Sequence, residues 1–188
     1  MNIIENLKNL ANEGDGFACF QLGKAYMDGK HSLLKDTQQG LFWYEKGAET
    51  HNNGLCLYCL ANIYTNGKLG FIDKEKANHY YKLAFPKLMQ ESKKEEKNAL
   101  FYLGYYYFFG LTNVEIDYNN AFLLWKRSAE LGKATAQSNT GFMYYYGFGT
   151  EKNLASALYW YELSARENIP NANLMIRIIK DELFNNTK

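Results

Sequence analysis

The stretch that decides the fold is Ala99-Leu-Phe-Tyr-Leu-Gly-Tyr-Tyr-Tyr-Phe-Phe-Gly110. It places a small residue at Ala99, a hydrophobe four on at Leu103, a second small residue five on at Gly104, tyrosine eight on at Tyr107 and glycine eleven on at Gly110. Offsets 0, 4, 8 and 11 share one face of a helix with 3.6 residues per turn. The closing glycine suits the left-handed conformation that ends a helix. A glycine at offset five weakens a helix unless a neighbouring helix needs the close approach. The same spacing recurs as Ala18, Leu22, Gly23, Tyr26, Gly29, as Cys56, Leu60, Ala61, Tyr64, Gly67, and as Ala136, Thr140, Gly141, Tyr144, Gly147.

A second pattern follows each copy of the first. It runs Gly40, Trp43, Tyr44, Gly47, Ala48, then Ala77, Tyr80, Tyr81, Ala84, Phe85, then Ala121, Leu124, Trp125, Ser128, Ala129, and last Ala157, Trp160, Tyr161, Ser164, Ala165. Two large anchors among three small docking points, at offsets 0, 3, 4, 7 and 8, describe an amphipathic helix that packs closely on its neighbours. Four residues ahead of each stands Asp36, Asp73, Asp117 or Asn153, residue types whose side-chain oxygen accepts from the free amides of a helix start. The chain therefore reads as a tandem of helix A, loop, helix B, loop. The small residues that open the A helices are 38, 43 and 37 positions apart (18, 56, 99, 136). The long interval holds a Lys- and Glu-rich insertion, 87–97, expected to lengthen a helix or form an exposed loop. Half-units flank the array: Ile3, Leu7, Leu10, Ala11 and Gly14 follow the helix-B offsets, and Ala172, Ile176 and Ile179 those of helix A.

The pattern A-x3-L-G-x2-Y-x2-G, a cap residue, then A-x2-W-Y-x2-A-A resembles the Sel1-like repeat family, relatives of the tetratricopeptide repeats. Cys56, Ala61, Thr140 and Phe85 depart from it and weaken single contacts. Tetratricopeptide repeats themselves fit less well, having a period of about 34 and a short connection between helices. The resemblance implies an all-α, right-handed α-solenoid of paired antiparallel helices acting as a protein-interaction scaffold. It predicts one repeat domain over 1–188: a capping helix at 1–15, repeats at 16–50, 54–86, 97–132 and 134–168, and a capping helix at 171–184.

Composition narrows the function classes. Among 188 residues the net charge is +1, from 21 basic and 20 acidic groups, with 12 basic and 10 acidic up to Lys94 and 9 and 10 beyond. No electrostatic footprint for nucleic acid or an anionic membrane results. The first ten residues alternate apolar and polar types rather than forming a signal-peptide core, and the most apolar run, 99–111, is too short to span a bilayer. A cytoplasmic protein, a monomer or weak dimer, is expected. Three cysteines, Cys19, Cys56 and Cys59, make no disulfide framework. Cys56-Leu-Tyr-Cys59 matches C-x-x-C without a second ligand pair, so no metal and no cofactor is expected.

No catalytic motif stands out. His31, His51 and His79 have no ligand spacing and read as solvated. Ser32-Leu-Leu-Lys35 matches S-x-x-K, but the S-D-N and K-T-G that accompany it in penicillin-interacting enzymes are absent. β-Lactam chemistry therefore remains the minor enzyme alternative to a non-catalytic protein.

The aromatic content, 16 Tyr and 12 Phe, exceeds what the repeat register uses. Helix-A offsets 3, 6 and 10 point away from the packed face and in a stacked solenoid line its concave side. They are mostly polar in the first two repeats (Gln21, Lys24, Asp28; Cys59, Asn62, Asn66). In the third they are Tyr102, Tyr105 and Phe109, and in the fourth Asn139, Phe142 and Tyr146, continued by Met175 and Ile178. This stripe is the candidate surface for a protein partner, either a toxin held by an immunity protein or a component of a signalling or host-interaction pathway. The competing expectation is that the rings are core. Alanine at Tyr105 and Phe142 separates the two, since an exposed stripe would leave the thermal midpoint nearly unchanged.

Overall fold

The computed structural model describes residues 2–185, which form ten α-helices and no strand. Two compact units contain them, one running to Glu91 and the other starting at Ser92. The first unit holds α1 (Ile3–Asn12), α2 (Gly16–Asp28), α3 (Thr37–Glu49), α4 (Gly54–Thr65) and α5 (Lys74–Ser92). The second holds α6 (Lys97–Phe109), α7 (Tyr118–Glu130), α8 (Ala134–Tyr146), α9 (Leu154–Ala165) and α10 (Ala172–Asn185).

Within each unit successive helices pack on one another, and the small residues set their spacing. A methyl group built on Gly23 would overlap the Tyr44 ring, and one on Gly104 the Trp125 indole. On Gly141 it would lie 2.9 Å from the Tyr161 ring. The offset-five glycine of each of these A helices is thus a seat for the large helix-B anchor at offset four. Gly47 plays the reciprocal part, fitting against Cys56 and Cys19. Departures from the pattern are absorbed locally. Thr140 is fully buried where a leucine stands elsewhere, and its hydroxyl donates back to the Ala136 carbonyl at 2.8 Å. The buried Ser128 and Ser164 hydroxyls donate to the Lys97 and Tyr161 carbonyls.

Every A–B junction carries the same pair of bonds. The side chains of Asp36, Asp73, Asp117 and Asn153 accept from the amides of Gln39, Lys76, Asn120 and Ser156 at 2.8–3.0 Å. The backbone amides of those four cap residues donate to the carbonyls of Tyr26, Tyr64, Tyr107 and Tyr144 at 2.8–3.1 Å. The end of each helix A is thereby tied to the start of its helix B. Asp117→Ala is expected to cost about 1 kcal/mol, because the backbone bond survives while the Asn120 amide loses its acceptor. A chemical-denaturation midpoint equal to that of the parent would refute this.

Helices A end as the glycines suggest, with Gly29, Gly110 and Gly147 in the left-handed region. The 87–97 insertion is both lengthened helix and turn. Helix α5 runs through the exposed Pro86 to Ser92, and the chain turns at 93–95 before Glu96 caps α6 by accepting from the Ala99 amide at 2.6 Å. Its inner face is anchored by the fully buried Leu88 and by Glu91, whose carboxylate accepts from the Gly54 amide at 3.0 Å.

The helix-B offsets assigned to the first helix need correction. Ile4 and Ala11 form its buried face, whereas Ile3 is 52% exposed and Leu10 is exposed as well. α1 packs on α2, so the positions that in full repeats meet a preceding helix A face water. In α10, Ala172 and Ile179 are buried as expected.

Candidate partner-binding surface

The aromatic stripe lies in the second unit, and its residues occupy three different environments. Tyr102 is half-buried at the start of the stripe, with the Lys133 ammonium 5.9 Å from its ring and 4.5 Å from that of Phe101. The same ammonium donates to Asn98 at 2.8 Å, and Asn98 donates to the capping Glu96 carboxylate at 2.7 Å. A cation held over a ring face gains from the ring quadrupole, so Tyr102 already carries a lid.

Tyr105 and Phe142 are half-buried and packed against the core cluster around Trp125, Met143 and Trp160. Tyr105 stands edge-on to Phe101 at 5.1 Å and to Trp125 at 5.2 Å. Phe142 lies 6.1 Å from Phe108 and stacks on Phe148 at 5.8 Å. Alanine at these two sites would open space beside the core, so the expectation of an unchanged thermal midpoint does not apply to them. Phe109 and Tyr146 differ. They are 57% and 55% exposed, each braced by a half-buried ring: Phe109 stacks on Tyr105 at 5.9 Å, and Tyr146 sits 4.7 Å from Phe142.

Asn139 is half-buried between the two helices of the stripe and donates to the Tyr105 hydroxyl at 3.5 Å, the long limit of a hydrogen bond. Met175 packs with Phe142 and Tyr145 on the buried cluster of Ala157, Tyr161, Ala172 and Ile179. Ile178 is exposed on α10 and stands apart from the ring cluster.

Three rings outside the offset pattern complete the surface. Phe108 contacts Phe109, Trp125, Phe142 and Phe148. Phe148, in the loop after α8, lies 5.0 Å from Tyr118 at the first position of α7. That loop comes so close that a methyl on Gly149, which has φ +65°, would overlap the Tyr118 carbonyl. No spacing in the sequence points to this contact, since Gly147-Phe-Gly149 reads there only as a helix-ending turn.

The other candidates resolve as follows. Cys19 and Cys56 are buried thiols, both pushed above their usual pKa chiefly by desolvation, which suppresses the reactive thiolate. His31 and His79 are exposed, but His51 is half-buried and its buried Nε2 has no hydrogen-bond partner among the described residues. It packs beside Gly14 and Gly16 rather than against solvent. No group of three or more metal-ligating side chains occurs among the described residues. Ser32 and Lys35 are both exposed on the first A–B loop. None of the described helices is long and apolar enough to cross a membrane.

Comparison with known proteins finds a Sel1 repeat match at residues 16–49, 54–85, 97–133 and 134–169. The chitin synthase regulator SKT5 of Saccharomyces cerevisiae is 31% identical over 160 residues, covering 82% of this chain, and the chain spans 22% of that protein. Among solved structures, a Sel1 repeat protein from Oxalobacter formigenes superposes with a TM-score of 0.54 at 27% identity, over 90% of this chain and 65% of that one. The protective antigen c5321 of uropathogenic Escherichia coli gives 0.51 at 25% identity, over 94% and 44%.

Proposed function

Because the chain belongs to the Sel1 repeat family, an all-α solenoid family whose members typically serve as protein-interaction scaffolds, we propose that it is a non-catalytic module binding a partner protein through the aromatic surface of α6 and α8. One observation carries this reading: Phe109 and Tyr146 stand out from the surface on rings that are themselves packed into the core. Rigid, pre-positioned rings lose little conformational freedom on binding and have the chemistry of binding hot spots. Met175, packed beside Phe142, and the exposed Ile178, set apart from the rings, are its outlying members on α10, while Tyr102, Tyr105, Asn139 and Phe142 support it.

The partner is proposed to be a toxin, with the chain acting in the cytoplasm as its monomeric inhibitor. A regulatory adaptor is the second reading, favoured by the yeast relative, which is named as a regulator of an enzyme. Affinity separates them, since a toxin–inhibitor pair is expected near ~1 nM and an exchangeable adaptor at roughly micromolar Kd.

Phe109→Ala and Tyr146→Ala test the surface itself. Each is expected to shift the unfolding midpoint by no more than about 2 °C and to weaken capture of the native partner by about tenfold or more. Undiminished capture by the double variant would remove the surface from consideration.

A further inference from the structure

Each helix A packs on the helix B that follows it, and the contact has a fixed register. Offset nine of helix A meets offset zero of helix B, as Met27 meets Gly40, and offset five meets the anchor at offset four, as Gly23 meets Tyr44. Offsets two and six flank the same anchor. Phe20 lies 6.5 Å from Tyr44, Tyr58 lies 5.3 Å from Tyr81, and Tyr105 lies 5.2 Å from Trp125. At the far end, the residue two ahead of the first small position meets offset seven, where the Ser128 hydroxyl donates to the Lys97 carbonyl.

Helices α1 and α10 each carry one half of this contact. α1 has the helix-B register, and its offsets zero, four and seven are Ile3, Leu7 and Leu10. Ile3 and Leu10 are exposed and Leu7 is half-buried. α10 has the helix-A register, and Pro170, Leu174 and Ile178 occupy the position two ahead of it and offsets two and six; all three are exposed. α1 packs inward on α2, and α10 on α9. Among the described residues no helix A covers the outer face of α1, and no helix B covers that of α10. Set antiparallel in the register of the full repeats, the two faces align Leu10 with Pro170 and Leu7 with Leu174 and Ile178. Ile3 falls along the aliphatic stem of Arg177.

We propose that a second copy of the chain docks here, α10 of one copy against the outer face of α1 of the next, so that two half-repeats complete a repeat across the junction. The occupant is the one for which the chain itself holds the template, since the same A-on-B contact recurs inside it. Two different faces meet, so the contact is heterologous. It is also weak. One helix on one helix buries less than the ~1,200 Å² typical of stable complexes. Arg177 and Asp181 interrupt the α10 face at offsets five and nine, and an arginine in the glycine seat keeps the helices farther apart than α6 and α7. The dilute chain is therefore a monomer, as the inhibitor reading requires. Phe109 and Tyr146 take no part, and Ile178 alone belongs to both surfaces.

Sedimentation equilibrium of the full chain tests this. Between ~10 µM and ~1 mM the weight-average mass should rise with concentration, with a Kd of roughly 100 µM. Leu10→Glu blocks one face and Leu174→Glu the other. Both side chains are exposed, so the unfolding midpoints should match the parent's, while each variant alone associates about tenfold more weakly or worse. An equimolar mixture of the two should regain the parent's affinity and stop at a 1:1 dimer, because one intact α10 face then meets one intact α1 face. The proposal is overturned if the parent stays monomeric at ~1 mM, if either variant alone associates as the parent does, or if the mixture stays monomeric. The double variant Phe109→Ala, Tyr146→Ala should associate like the parent. Loss of self-association there would move the contact to the rings and overturn the proposal, whereas undiminished partner capture by that variant would bear only on the scaffold reading.

Discussion

Replacing Gly104 with alanine is expected to lower the unfolding midpoint of the second unit by about 5–10 °C, or roughly 2–3 kcal/mol. On propensity alone the substitution should stabilise α6, since alanine exceeds glycine by about 1 kcal/mol in a helix interior. Packing reverses the sign. The new methyl would overlap the Trp125 indole, which is buried and donates its Nε1 proton to the Phe101 carbonyl at 2.9 Å. Moving the ring breaks that bond and disturbs Tyr105 and Phe108, both packed against it. Gly141→Ala, meeting the Tyr161 ring at 2.9–3.1 Å, should cost less because a small rotation relieves it. The second repeat suggests the rescue, for there Ala61 stands at the glycine position and Tyr81 at the anchor. Trp125→Tyr combined with Gly104→Ala should recover part of the loss. Calorimetry on the three variants decides the matter, and a midpoint for Gly104→Ala within 1 °C of the parent (far inside the shift that ~2 kcal/mol implies) would sink the docking account.

Alkaline pH should have the other large effect. Burial pushes the Tyr161 phenol well above its usual value of 10.0, helped by the nearby Tyr146 and Tyr145, and burial raises Tyr81 as well. The Cys56 thiol is raised above 9.0 for the same reason. Below those ordinary values folded and unfolded chains hold the same protons, so stability is flat. Above them the unfolded chain releases protons that the folded chain retains. Stability is then lost as pH rises, beginning near 9 and steepening past 10. Each raised phenol can remove up to about 1.4 kcal/mol per pH unit. Urea midpoints measured between pH 8 and 11.5 should show this fall, and Tyr161→Phe should flatten it. Parallel declines in variant and parent would mean that Tyr161 does not contribute.

What the sequence made legible is what helical periodicity encodes. The glycine seats, the four helix-B caps and the left-handed helix ends depend on residues a few positions apart, and they fold where the spacing puts them. The extent to which the stripe is buried was not legible. Offsets 6 and 10 place Tyr105 and Phe109 on one face of α6, yet Tyr105 is drawn against Trp125 while Phe109 stays exposed. That difference depends on how closely the neighbouring pair approaches, which periodicity does not state. Tyr106 makes the same point from within, being fully buried at an offset the repeat pattern ignores. Phe148 and Tyr118 were out of reach for another reason. They join the ring surface from a loop and a helix start, where contacts are set by the fold rather than by position along a helix.

The paired bonds at each A–B junction have a consequence for variation. The tyrosine carbonyl and the capping side chain secure both helices at the junction itself, so the residues strung between them have no part in setting the helix geometry. The four loops accordingly share almost no sequence: His31-Ser-Leu-Leu-Lys35, Lys68-Leu-Gly-Phe-Ile72, Leu111-Thr-Asn-Val-Glu-Ile116 and Phe148-Gly-Thr-Glu-Lys152. The first two amount to interchangeable cassettes on a common chassis, where foreign peptides can be displayed or recognition diversified without retuning the helices. The other two are exceptions, because Glu115 and Ile116 line a cleft beside Tyr118 while Phe148 and Gly149 are committed to the ring surface.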